Sequence, residues 1–188
     1  MSLMRIGPFI RPAAGFLAFL VSLNAAPFAA HAGSASEAAF YTNVVGKWAG
    51  GGEIVAGKFK GTKFNCLFEG SSADSGAGIA IDGSCRVGVF SQPMSASFKR
   101  SGGRYTGKFL DGEAGEGMDI VGGRYSASKL IVNIRRKDLN GVMVARHTDD
   151  DKLNISVSVR VDNRLIHVIG MMLDRRGGVD NVVTSSVK

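Results

Sequence analysis

The stretch LNISVSVRV, Leu153 to Val161, sets the fold class. Leu153, Ile155, Val157, Val159 and Val161 alternate with Asn154, Ser156, Ser158 and Arg160. That period of two places every apolar side chain on one face of an extended chain, as in an antiparallel sheet with one buried side. Ile79, Ile81, Gly83, Cys85, Val87 and Val89 form a second such line, with Asp82, Ser84 and Arg86 on its other face.

Alternation broken by turn residues runs outward from these two lines. Ser101-Gly102-Gly103, Asp111-Gly112, Gly122-Gly123, Asn140-Gly141 and Asp162-Asn163 have tight-turn chemistry. Strands are expected over 46–55, 59–69, 77–90, 93–100, 104–110, 115–121, 123–135, 141–148, 152–162 and 164–174. The expected class is therefore all-β, with about ten short antiparallel strands, each beside its sequence neighbour. A run of hairpins leaves two unpaired edges, and closing into an up-and-down barrel removes both. A β-sandwich is the alternative. Gly50-Gly51-Gly52 suggests a strand that bends sharply or bulges. At 188 residues, 45% hydrophobic and 21% charged, the chain suits one domain.

The N-terminus reads differently. Arg5 and Arg11 stand without a nearby acid, the apolar run AAGFLAFLVSL fills 13–23, and Ala30-His31-Ala32 follows. These are the three parts of a cleavable secretory signal. The apolar run is shorter than the roughly 20 residues that span a bilayer. Residues 1–32 are thus expected to be a signal peptide, leaving no transmembrane segment and a periplasmic or secreted protein. Residues 33–45 follow as a short helix and linker, Ser34 and Glu37 having capping-box spacing ahead of Phe40 and Tyr41. The barrel domain is expected over 46–176 and a flexible tail over 177–188.

The formal net charge is +7, with the densest runs, Arg135-Arg136-Lys137 and Arg175-Arg176, set against Asp149-Asp150-Asp151. A basic stripe interleaved with aromatics is missing, so no nucleic-acid partner is expected. Cys66 and Cys85 are the only cysteines. An even count in an exported chain reads as a disulfide. The two lie equally far from the centre of the polar loop at 71–76, which makes them opposed partners in one hairpin.

Gly46-Lys47-Trp48 opens the first expected strand. With this G-x-W and its sequential hairpins, the chain resembles the calycin barrels: lipocalins, avidins and the small periplasmic inhibitors of bacterial metalloproteases. The resemblance implies a lipocalin-like barrel with Gly46 and Trp48 in structural roles, the indole closing one end. It also implies a basic residue near the last strand packed across that indole, Arg175 or Arg164. The chain departs from the group in three ways. The lipocalin T-D-Y is met only as Thr148-Asp149, the avidin ring of tryptophans cannot form from one Trp, and the mature chain is longer than the inhibitors.

Catalytic constellations do not assemble in the sequence. His147 and His167 remain after the leader; His147 reads as part of a polar hairpin loop with Asp149-Asp150-Asp151, and His167 as a lone histidine on the last strand. Asp111, Glu113, Glu116 and Asp119 offer oxygen atoms on a Gly-rich loop, but without EF-hand spacing they read as an exposed turn. No metal, cofactor or enzymatic activity is expected. The expected function is a binding module holding a small apolar or amphiphilic ligand inside the barrel. Phe64, Phe68, Ile81, Phe98, Phe109, Met118, Ile155 and Val157 are its inward-facing candidates. A protein-binding role in the cell envelope, as inhibitor or assembly factor, is the alternative.

The mature chain should begin at or within a few residues of Gly33. N-terminal sequencing of exported material would read this directly, and a chain retaining the 13–23 run would disprove it.

Overall fold

One helix precedes ten strands, and each strand hydrogen-bonds to its neighbours in sequence. The computed structural model describes residues 30–73, 77–110 and 117–177, with side chains from residue 35 onward. The helix is α1 (Ala30–Val44). The strands are β1 (Gly46–Ile54), β2 (Lys63–Ser72), β3 (Gly78–Val87), β4 (Phe90–Ser101), β5 (Arg104–Leu110), β6 (Met118–Ser126), β7 (Lys129–Arg136), β8 (Leu139–Asp149), β9 (Lys152–Val161) and β10 (Arg164–Arg176). All pairings are antiparallel, and β1 pairs with both β2 and β10, so the sheet closes on itself as an up-and-down barrel. Closure leaves no edge exposed, the physical reason that the barrel prevails over the sandwich.

The alternation dictates which side chains enter. Ile79, Phe98, Ile120, Leu130, Val132, Ile134, Leu153 and Leu173 are buried in one continuous core with Trp48 and the helix residues Phe40, Tyr41 and Val44. Their apolar surface, at about 25 cal/mol per Å² removed from water, is the main favourable term. Helix α1 lies over one end, beside the Gly46 start of β1 and the Arg176 end of β10; the β1–β2, β3–β4, β7–β8 and β9–β10 turns lie at the other.

Several turns differ from the sequence reading. Gly102-Gly103 and Asp162-Asn163 are two-residue turns with positive φ, as their chemistry requires. Gly122-Gly123 instead lies within β6, and the reversal is made by Ala127 and Ser128, at φ 49° and 60°. Asn140-Gly141 lies within β8, the chain having turned three residues earlier at Lys137, φ 50°. In both places the register needed to keep Leu130, Val132 and Ile134 inside overrides local turn preference. The expected strand over 77–90 likewise ends early, because Gly88 reverses the chain at φ 57°. Asp111-Gly112 lies outside the described residues.

The three glycines of β1 do not form a bulge, since β1 pairs without a break on both sides. They permit close approach: a Cβ on Gly50 would lie 2.0 Å from the Met172 carbonyl oxygen. Register shifts occur elsewhere, between Ile120 and Gly122, between His147 and Asp149, and between His167 and Ile169. The helix is longer than expected and starts before Ser34, so Glu37 is a mid-helix residue and not part of a capping box. The expected signal peptide and tail fall almost wholly outside the described residues.

Cys66 and Cys85 are opposed in the β2–β3 ladder and joined by a disulfide, Cα to Cα 4.0 Å, with both side chains inside the barrel. A ring of about twenty residues stabilises by roughly 3 kcal/mol through loop entropy. Replacing both cysteines with serine should therefore lower the melting temperature and leave the far-UV circular dichroism unchanged. Free reaction of both thiols in native oxidised protein would contradict the staple.

Candidate functional site

The helix end is built from a four-residue stripe. Glu37, Phe40, Tyr41 and Val44 follow the i, i+3, i+4, i+7 spacing that brings side chains to one helix face, and all four are buried. Glu37 is the exceptional member, a carboxylate at 6% exposure. Its Oε1 accepts the Tyr41 hydroxyl at 2.5 Å and the Tyr105 hydroxyl, while Oε2 faces Arg100 Nη1 at 3.1 Å. An unpaired buried carboxylate costs several kcal/mol, so these partners are what permit it inside. Burial and then the bond to Glu37 raise the Tyr41 phenol far above its usual value and push Tyr105 up to about 12. Both tyrosines therefore stay neutral donors over the physiological range.

The C-terminus of α1 meets the first and last strands. Trp48 Nε1 donates to the Val44 carbonyl at 2.8 Å. Arg175 stacks over the indole, 4.4 Å to the ring centroid, and donates to the Asn43 and Val45 carbonyls at 2.6 and 2.9 Å. It also reaches the Asp150 carbonyl and pairs with the Asp151 carboxylate at 3.3 Å. Carbonyls at a helix C-terminus lack intrahelical donors, and these two side chains supply donors for two of them, Asn43 and Val44, and for Val45 just beyond. Arg164, the other sequence candidate, opens β10 at the far end of the barrel, away from Trp48.

His147 is not in a polar loop. It stands in β8 on the inward line of Gly141, Met143 and Ala145. Its ring lies 5.0 Å from Phe40 and 5.8 Å from Trp48 by centroids, and neither nitrogen has a hydrogen-bond partner in the structure. The irregular pairing after His147 carries the acids that follow past the sheet's end, while the alternation keeps the imidazole in. Burial, and then the Arg175 charge, lower its pKa below the usual histidine value. His167 is exposed on the outer wall.

Beneath the helix stripe an apolar cavity of about 60 Å³ occupies the middle of the barrel. Phe68, Ile81, Phe98 and Phe109 line it as the sequence pattern places them, and Ser95 is the single polar residue of its wall. Phe64, Met118, Ile155 and Val157 pack into the same interior without reaching the cavity. Phe40, Val44, Met94, Leu130 and Met143 also line it, outside the eight inward-facing candidates, as do several smaller aliphatic residues. Phe40 and Val44 come from a helix whose inward stripe is short, but Met94 and Met143 were legible as soft apolar residues in strands. The volume is well below the 300–1,000 Å³ of ordinary ligand pockets. A larger concavity of about 590 Å³, floored by Gly51 and Gly170 and bordered by Lys63, Asn65, Asn154 and Ser156, lies open to solvent. Among the described residues, three or more His, Cys, Asp or Glu side chains never gather in a metal-binding group.

No protein-family model matches the chain, and no curated protein matches it in sequence. Solved structures share its fold. The S-type phycobiliprotein lyase CPES from Guillardia theta aligns at 8% identity and TM-score 0.51, over 74% of this chain and 92% of its own. Rv2717c from M. tuberculosis aligns at 16% identity and TM-score 0.49, over 72% of this chain and 94% of its own. At such identities the likeness is one of fold alone, a closed antiparallel barrel.

The lowered His147 pKa has a readable consequence. Below about pH 6.5 the unfolded chain protonates this imidazole while the folded barrel resists. Stability should therefore fall as pH drops from about 6.5 toward the depressed folded value. His147→Phe, which keeps an aromatic ring against Phe40 and Trp48, should flatten that loss in thermal melts at about pH 7.5 and pH 5. An unchanged pH dependence would mean that His147 protonates freely in the folded protein.

Proposed function

We propose that the protein is an exported, non-catalytic binding barrel that takes a slender apolar or amphiphilic molecule into its interior. The cavity beneath Phe40 and Val44 carries this reading. Protein interiors normally close to crystal-like density, yet this one keeps an apolar void at the centre of the barrel. A void so lined holds no ordered water with adequate hydrogen bonds and favours hydrocarbon. At about 60 Å³ it is small, so a bound chain would enter by re-packing of the walls. Met94 and Met143 border it, and flexible thioethers re-pack around an incoming chain at low cost.

The lining also favours binding over chemistry, because every cavity wall residue except Ser95 is apolar. His147 sits above, enclosed by Phe40 and Trp48, with no carboxylate hydrogen-bonded to its ring. Export rests on the leader-like N-terminus and on the disulfide, which persists in oxidising compartments. The shared fold with a phycobiliprotein lyase adds that a barrel of this shape serves a protein that handles another molecule.

Native mass spectrometry of exported protein, with and without added decanoate, tests the reading. A one-to-one adduct is expected, and Ala96→Phe, which fills the cavity from β4, should weaken uptake about tenfold while keeping the fold. Absence of any adduct, or uptake indifferent to Ala96→Phe, would remove interior binding.

A further inference from the structure

The end of the barrel opposite α1 carries a second pattern, independent of the cavity. Large apolar side chains stand out of the turns there: Phe59 at 62% exposure between β1 and β2, and Val89 and Phe90 at 89% and 79% between β3 and β4. Leu165, beside the β9–β10 turn, is half exposed. Each is flanked by cations in sequence: Lys58 and Lys60 beside Phe59, Arg86 before Val89, Arg160 and Arg164 before Leu165. The Lys58 ammonium lies 5.6 Å from the Phe59 ring centroid.

Because β1 sits between β2 and β10, and β2 beside β3, these three turns are neighbours around the rim. Asp162 is the acid within them, and Glu53 stands on the wall below. The rim is thus cationic and apolar at these three turns, and the β7–β8 turn at the same end adds Arg136 and Lys137.

We infer that the β9–β10, β1–β2 and β3–β4 turns dock this barrel, rim first, on an anionic phospholipid surface. The two features needed for interfacial binding coincide there: apolar side chains that can enter the headgroup–acyl boundary, and Lys and Arg side chains at the depth of the phosphates. The apolar groups stand on separate convex tips and form no flat patch, a shape that suits a yielding lipid interface better than a rigid protein face. Lys and Arg stems also bury their methylenes while their charges remain wet.

Sedimentation with large unilamellar vesicles tests this. The purified protein should bind vesicles of phosphatidylglycerol mixed with phosphatidylcholine, and bind phosphatidylcholine alone far less. Each tip cation removed should weaken partitioning about fivefold, so Lys58→Gln with Lys60→Gln and Arg164→Gln should cost about a hundredfold. Phe59→Ser with Phe90→Ser should cost about tenfold or more. Val89→Trp gives a position-specific signal, since Trp48 is buried at the other end, and its emission should shift to the blue on phosphatidylglycerol vesicles. As a control, Lys99→Gln with Arg124→Gln and Lys129→Gln, at the helix end, should bind as the unaltered protein does. No binding to phosphatidylglycerol, equal loss from the helix-end variant, or binding without a shift at residue 89 would each overturn the assignment.

Discussion

The whole arrangement turns on the guanidinium of Arg175. It comes from the last strand, lies on the indole of the first, and donates to carbonyls at the end of the helix that precedes both. An arginine has five N–H donors in a fixed fork and no state in which it gives up its charge. It can therefore hold the carbonyl oxygens at the negative end of a helix and remain stacked on an aromatic face. Barrel closure at the β1–β10 seam, the burial of Trp48 and the seat of α1 are one event, because each supplies a partner the others need.

The chemistry around that clamp is a way of keeping polar groups in a dry place. Glu37 brings a carboxylate under the helix, and Tyr41, Tyr105 and Arg100 from three different elements meet it. Such a network is worth most for the uniqueness it imposes: only one seating of α1 satisfies all four groups. His147 takes the opposite course, surrounded by rings and left without a hydrogen-bond partner. The helix end is thus a fitted lid with one uncomfortable component, and the cavity lies directly below it.

Much of this was legible in the chain. Alternation at Leu153–Val161 and Ile79–Cys85 carries the strand faces, because a period of two leaves one way to bury the apolar set; Val87 and Val89, expected on the same face, are exposed at the turn. The disulfide pairing followed from symmetry about the hairpin centre. The closing of Ala127–Ser128 and Lys137–Asp138 as turns was not legible: each holds a single turn former, Ser128 or Asp138, without glycine or asparagine, and Ala127, Ser128 and Lys137 are held at positive φ by the register of their neighbours. His147 was misread for a related reason, since adjacent acids suggest a wet loop while the strand's parity points the ring inward. The helix stripe was half visible in Phe40 and Tyr41, but the buried partners of Glu37 lie far away in sequence. The size of the cavity depends on how bulky side chains from several strands interdigitate, and no local pattern encodes that.

The wall of the barrel is uneven, and the unevenness has a direction. Among the described residues, the pairing between β5 and β6 covers only Gly107–Phe109 against Met118–Ile120, where most other seams are longer. Diametrically across the ring, β1 is bonded along nearly its whole length to both neighbours, and one step further β2 is welded to β3 by sulfur. A hoop stressed from within yields at its weakest stave. The flank where Phe109 and Met118 face each other is the least hydrogen-bonded part of the described wall, and the flank across from it, tied by two full ladders and a disulfide, is the most constrained.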